Sequence, residues 1–166
     1  MKIFNHIINC SSTGKRPTFH NLSEEIREFV KNTGTENGQC LVYSRHTTCA
    51  ILIDEESFDK SYSGLTFLQQ DLVDVFEKTI PTCRKEGQYM HPGPELTIFA
   101  AEHGEDKEGT LNTDAHLRSS IVGRSEVIPI IDGKLILGDF GNVYFIDFDQ
   151  TRARDREVIV QVISFE

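Results

Sequence analysis

"EVIPIIDGKLILG", residues 126–138, decides the fold class of this chain. Val127, Ile128, Ile130 and Ile131 make one apolar run, Leu135, Ile136 and Leu137 make a second, and Asp132-Gly133 joins them. Asp-Gly suits a tight type I′ turn, whose two central residues both take positive φ, so the stretch predicts a β-hairpin. Two more strand-like runs follow, "NVYFIDFD" at 142–149 and "REVIVQVISF" at 156–165. In the second, Val158, Val160, Val162 and Ser164 alternate with polar or outward positions, the period of a strand with one buried face. Strands that follow one another through short turns pair antiparallel.

Working back toward the N-terminus, residues 2–9 read as a strand and "STGKRPTFH" at 12–20 as a loop rich in turn residues. "NLSEEIREFVKNTG" at 21–34 is helical: Leu22, Ile26, Phe29 and Val30 recur at helix spacing, Asn21 with Glu24 offers a start and Gly34 a stop. A strand pair is expected at 39–44 and 47–53. Leu65, Leu68, Leu72, Val75 and Phe76 then mark a second helix that Pro81 ends. Residues 84–94 are loop by composition, "ELTIFAA" at 95–101 is a short strand or part of an insertion, and "NTDAHLRSSIVG" at 112–123 is a short helix closed by Gly123. The sum is about seven strands and three helices in a single compact domain over residues 1–166. The class is α+β, with a large, mostly antiparallel sheet or sandwich.

The chain of 166 residues is long enough to bury a core without staples. Its net charge of −9 argues against nucleic-acid or anionic-membrane partners, which need concentrated Lys and Arg. No stretch approaches the ~20 apolar residues of a membrane span. Asn5, His6 and Asn9 interrupt any N-terminal apolar segment, so a cytoplasmic location is expected. None of the four cysteines, Cys10, Cys40, Cys49 and Cys83, lies in a C-x-x-C pair, and Cys40 and Cys49 read as buried thiols of a reducing compartment.

Three groups of residues carry possible chemistry. "SRHTTCAIL" at 44–52 places His46, Thr47 and Thr48 at the end of an apolar strand that needs none of them. Polar groups gathered where a strand meets a loop often belong to a site. The region 91–120 holds His91, His103 and His116 among carboxylates, at spacings that match no helical zinc motif. The third group is Arg152, Arg154 and Arg156, alternate residues that share a side if the last strand has begun, and guanidinium suits a phosphate. "DFG" at 139–141 resembles the magnesium-binding triplet of kinases, but no glycine-rich loop, V-A-I-K strand or H-R-D loop accompanies it.

In order, H-T-T, A-H-L-x-S-S-x-x-G, P-x-x-D-G-K-L-x-L-G and F-D-x-x-R-x-R resemble the YjbQ family, named for secondary thiamine-phosphate synthase activity, over roughly residues 40–164. The resemblance implies a compact α+β domain that associates as a homotrimer with polar sites near subunit boundaries. It assigns His46 and His116 to family histidines, Glu55 to a family acid, and either His91 or His103 to a third histidine, with residues 92–111 looking like an insertion. Where the family usually has Gly-Thr-Trp-Gln, this chain has Gly138-Asp139-Phe140-Gly141, and it has no Trp at all.

The expected function is therefore an enzyme that joins a pyrimidine pyrophosphate ester to a thiazole phosphate. His46, His116, Glu55 and Arg154 would carry the reaction on a small phosphorylated substrate. Two alternatives stand beside it. One is metal-assisted hydrolysis with a Zn-like ion held by His46, His116 and one of His91 and His103, whereas in the transfer Mg held by carboxylates would help the arginines stabilise the departing pyrophosphate. The other is a trimeric metal- or anion-binding module without turnover. Hydrophobic strands with little edge protection point the same way as the implied homotrimer, since an apolar edge must be covered.

Overall fold

The protein is described here by a computed structural model covering residues 1–166. In chain order its elements are β1 (Lys2–Ser12), β2 (Thr18–Asn21), α1 (Ser23–Thr33), β3 (Gly38–Ser44), β4 (Cys49–Glu55) and α2 (Phe67–Thr79). There follow α3 (Pro94–Glu102), α4 (Thr113–Val122), β5 (Ser125–Ile131), β6 (Lys134–Leu135), β7 (Gly141–Asp147) and β8 (Arg154–Ser164), with a 3-10 turn at Glu108–Thr110 before α4. No helix is long and apolar enough to cross a membrane.

The hairpin forms as its turn residues dictate. Asp132 has φ 49° and Gly133 φ 71°, the two positive values a type I′ turn requires, and Ile131 lies opposite Lys134. Its outgoing strand is only two residues long, however. All pairing is antiparallel, in a five-stranded sheet of order β1-β8-β3-β5-β6 and a three-stranded sheet of order β2-β7-β4. The α+β class and the antiparallel sandwich expected from the sequence are therefore what the chain adopts.

The main core lies between the sheets. Cys40, Val42, Ile128, Val158, Val160 and Val162 of the large sheet meet Cys49, Ile51, Val143 and Phe145 of the small one, and Ile26 and Val30 of α1 fill the flank. Because β7 is buried on both faces, its other side chains, Ile146 above all, form a second cluster with Phe76 of α2, Ala115 of α4 and Phe148. Helices thus cover the small sheet. The outer face of the large sheet has no such cover, and Ile3, Ile7, Val127 and Ile131 are each about half exposed there, at 54%, 52%, 57% and 49%.

Several elements differ from the sequence reading. The loop expected at 12–20 yields to β2, whose Phe19 and His20 lie opposite Ile146 and Phe145 of β7; turn residues on both sides hide so short a strand. Residues 95–101 form α3, because Pro94 sits at its first turn, where proline's fixed φ favours a helix. The first helix starts at Ser23 instead of Asn21, and Asn21 Oδ1 accepts the Ser23 N–H at 3.0 Å. Gly34 ends that helix in the left-handed conformation with φ 66°, as its sequence position predicts. Thr66 and Gln69 supply a reciprocal capping box at the start of α2 that fixes its first turn.

Candidate functional site

At one end of the small sheet, where Cys49 pairs with Asp147, three segments converge: the loop from Arg45 to Thr48, the loop from β7 to β8, and the start of α4. Their meeting is pinned by main-chain and hydroxyl bonds. Phe148 N donates to the Thr48 carbonyl at 3.1 Å, and Ser119 Oγ of α4 donates to the Cys49 carbonyl at 2.5 Å. Between them lies a cleft of about 270 Å3 with no apolar residue in its lining. Arg45, His46, Thr47 and Thr48 form one wall, Arg154, Arg156 and Asp149 another, and Asn112 and His116 the third.

The ion pairs behind this cleft are ordered from the inside out. Asp147 is fully buried and accepts from Arg156 Nε at 2.8 Å and Nη2 at 3.4 Å, while Arg156 Nη2 also donates to Thr48 Oγ1 at 3.0 Å. Burial works against the Arg156 charge, but the Asp147 bonds and the carboxylates of Asp147 and Asp149 outweigh it and hold its pKa above the ordinary value. Asp149 accepts from the hydroxyl and amide of Thr151 and pairs with Arg154 Nη2 at 3.3 Å. Burial alone would raise the Asp149 pKa; the Thr151 bonds, Arg154 and Asn112 reverse that and hold the carboxyl below the usual range. Arg154 Nε is a buried side-chain donor with no partner, so the guanidinium at this wall retains unused hydrogen-bonding capacity.

The histidines have distinct roles set by their partners. The main-chain N–H of Glu157 donates to His46 Nε2 at 3.1 Å. An amide N–H only donates, so that nitrogen must carry the lone pair and the ring proton sits on Nδ1. Burial, with Arg156 and Arg45 nearby, lowers the His46 pKa and keeps this neutral form. His46 therefore offers an Nδ1–H donor, and its Nε2 is already committed. Burial and the neighbouring His91 lower the His116 pKa and favour its neutral ring, in which one nitrogen carries a proton and the other a lone pair.

His116 and Asn112 also line a second cleft, of about 360 Å3, shared with His91, His103, Leu96, Phe99 and Ala100. The His91 and His116 rings stand edge to face with centroids 5.3 Å apart. The His91 carbonyl accepts from Thr113 Oγ1 at 2.5 Å, which ties that loop to the start of α4. His103 Nδ1 donates to the Phe99 carbonyl at 2.8 Å while its ring stacks on Phe99 at 4.0 Å. All four sequence-selected histidines thus line two clefts that meet at His116. They are not clustered as metal ligands: no group of three or more His, Cys, Asp or Glu side chains comes together to hold an ion.

Glu55 is placed elsewhere. It lies at the opposite end of β4, paired with Gly141, about 20 Å from Cys49 at ~3.4 Å of strand rise per residue. Phe140 is at that same far end, 69% exposed. A Cβ at Gly141 would lie 2.1 Å from the Leu137 carbonyl oxygen, so this backbone has no room for the glutamine usual in the resembled family. Of the three alternating arginines, only Arg154 and Arg156 belong to β8; Arg152 precedes the strand and pairs with Glu105 at 2.5 Å. Residues the sequence reading did not select complete the polar cleft: Arg45, Asn112 and Asp149, with Asp147 behind them. "FIDFD" held a signal for the two acids, since carboxylates inside an apolar strand need buried partners.

A sequence model of the family described as "UPF0047 protein YjbQ-like" matches residues 8–165. UPF0047 protein YugU of Bacillus subtilis is 30% identical over 142 residues, covering 86% of this chain and 88% of that protein. UPF0047 protein sll1880 of Synechocystis is 31% identical over 157 residues, covering 94% and 88%. Among solved structures, an uncharacterized conserved protein of the YjbQ/UPF0047 family from Clostridium acetobutylicum aligns with a TM-score of 0.68 at 27% identity, over 96% of this chain and 99% of that one. A protein of unknown function from Sulfolobus solfataricus, described as YbjQ-like, shares the fold with a TM-score of 0.71 at 21% identity, over 98% of this chain and 99% of that one. The chain belongs to the YjbQ-like UPF0047 family.

Proposed function

We propose that this member of the YjbQ-like UPF0047 family is an enzyme for small phosphorylated substrates, of the thiamine-phosphate synthase type, in which a pyrophosphate group leaves. The observation that carries the reading is the junction of two unlike clefts at His116 and Asn112, one wholly polar with three arginines in its walls and the other partly apolar. A pyrophosphate ester has the same division between a charged head and an organic body. Arg45, Arg154, the Thr47 hydroxyl and the His46 Nδ1–H would donate to the head, and forked guanidinium donors match phosphate oxygens. In such a transfer the carbon–oxygen bond to pyrophosphate breaks as a nucleophilic nitrogen of the second substrate bonds to that carbon, and donors on the departing oxygens stabilise the charge that develops.

Hydrolysis of a phosphate ester is the second reading, favoured by the neutral ring of His116, which burial and His91 maintain. There it would take a proton from water as the oxygen attacks phosphorus, the ester P–O bond breaks and the alcohol departs with that proton. Any Zn or Mg would have to take most of its ligands from the substrate's phosphates, since no three His, Cys, Asp or Glu side chains gather to hold one. His46 is better suited to the anion than to the ion, because its Nε2 lone pair accepts from the Glu157 amide.

A homotrimer is part of the proposal. Its support is the bare outer face of the large sheet, where Ile3, Ile7, Val127 and Ile131 have nothing over them. Light scattering should give about three times the 18.8 kDa chain mass at micromolar concentration, and a monomer mass would refute it. For the activity, release of pyrophosphate from arylmethyl pyrophosphates is followed with and without a thiazole phosphate acceptor and Mg. Acceptor-dependent release supports the transfer, acceptor-independent release supports hydrolysis, and none under either condition overturns the enzymatic reading.

A further inference from the structure

We infer that α3 is a specificity element, and that Phe99, with Leu96, selects the organic group of the ligand whose anionic head occupies the polar cleft. This rests on the anion reading given above. The helix stands between the end of α2 and the 3-10 turn before α4, in the segment that carries His91 at one end and His103 at the other. Leu96, Phe99 and His103 fall at i, i+3 and i+7, one stripe of a helix, and all three line the partly apolar cleft. The stripe faces His91 and His116, so a group held there touches the residue that also borders the phosphate donors.

Nothing in the fold requires these apolar residues for its core. Ala100 is the only buried residue of α3, and Phe99 is 54% exposed. A phenylalanine left half in water at the mouth of a cleft gains from any apolar ligand that covers it. The wall is also held in register. His103 is fixed by its stack on Phe99 and its bond to the Phe99 carbonyl, and the segment beyond is tied down by Glu105 to Arg152 and by the Gly109 N–H to Asp106 Oδ1 at 2.5 Å. Ile98 of the same helix is 61% exposed and is not in the cleft lining, which makes it an internal control.

The test is calorimetric titration of the full chain with inorganic phosphate and with benzyl phosphate. Benzyl phosphate should bind about tenfold tighter than phosphate, a difference of ~1.4 kcal/mol. Phe99→Ala should reduce that preference to about threefold or less while leaving phosphate binding as in the parent, and Ile98→Ala should change neither. Equal weakening of both ligands by Phe99→Ala, or phosphate binding with no preference for benzyl phosphate, would overturn the role of α3 and leave the anion cleft standing. Absence of phosphate and pyrophosphate binding in the parent chain would remove both.

Discussion

Replacing Arg156 by Met tests whether the polar cleft is built on a buried ion pair. The substitution keeps most of the side-chain volume and leaves Asp147, which has no exposed surface, without the donors at 2.8 and 3.4 Å. Thr48 Oγ1 loses a donor as well. Removing one partner of a buried pair typically costs about 3–5 kcal/mol, because the remaining charge stays desolvated. For a domain of this length each kcal/mol lowers Tm by roughly 2–4 °C, so the expected fall is about 6–20 °C. The assay is thermal and urea unfolding by circular dichroism on the parent, Arg156→Met, and the double variant Asp147→Leu with Arg156→Met. The double variant should recover half or more of the loss, since it buries no unpaired charge. A loss below ~1 kcal/mol in the single variant, or a double variant worse than the single, would show that the cleft does not depend on this ion pair.

The pH dependence follows from the two depressed histidines. His46 and His116 both titrate lower in the folded chain than the ordinary imidazole value of 6.5, so the unfolded state binds more protons in the window just below it. Their contribution is complete above about pH 6.5 and falls as pH drops toward their folded values; His116→Ala should flatten that part of a stability–pH curve. Gly14→Ala places a Cβ 2.0 Å from the main-chain carbon of Arg152 at a φ of +66°, and urea denaturation should register a loss of about 2 kcal/mol or more. Thr66→Ala removes the capping box of α2 and should cost about 1 kcal/mol in the same assay, with phosphate binding unchanged.

The fold was legible wherever one physical rule dominated locally. Asp132-Gly133 specified its turn, the alternation through Val158, Val160 and Val162 specified β8, and Gly34 specified the end of α1. The strand β2 and the helix α3 were not, for opposite reasons. Thr18–Asn21 forms a strand only because β7 offers an edge, a long-range fact. Residues 95–101 are too short an apolar run for periodicity to tell helix from strand without the proline before them. For the site, isolated histidines could be selected by type, but their division of labour could not. Whether His46 donates or accepts depends on an amide 111 residues away, and Glu55 falls at the other end of the strand it shares with the site.

The cleft walled by Arg45, His46, Arg154 and Asn112 is proposed here as an anion site. Its most direct test is isothermal titration of the chain with pyrophosphate, without added metal, beside Arg154→Met. Arg154 is chosen because it faces the cleft, pairs only with Asp149 and keeps an unpartnered donor. One pyrophosphate should bind per chain in the parent, and at least tenfold more weakly in Arg154→Met, a loss of ~1.4 kcal/mol or more. No heat in the parent, or equal affinity in the variant, would contradict it.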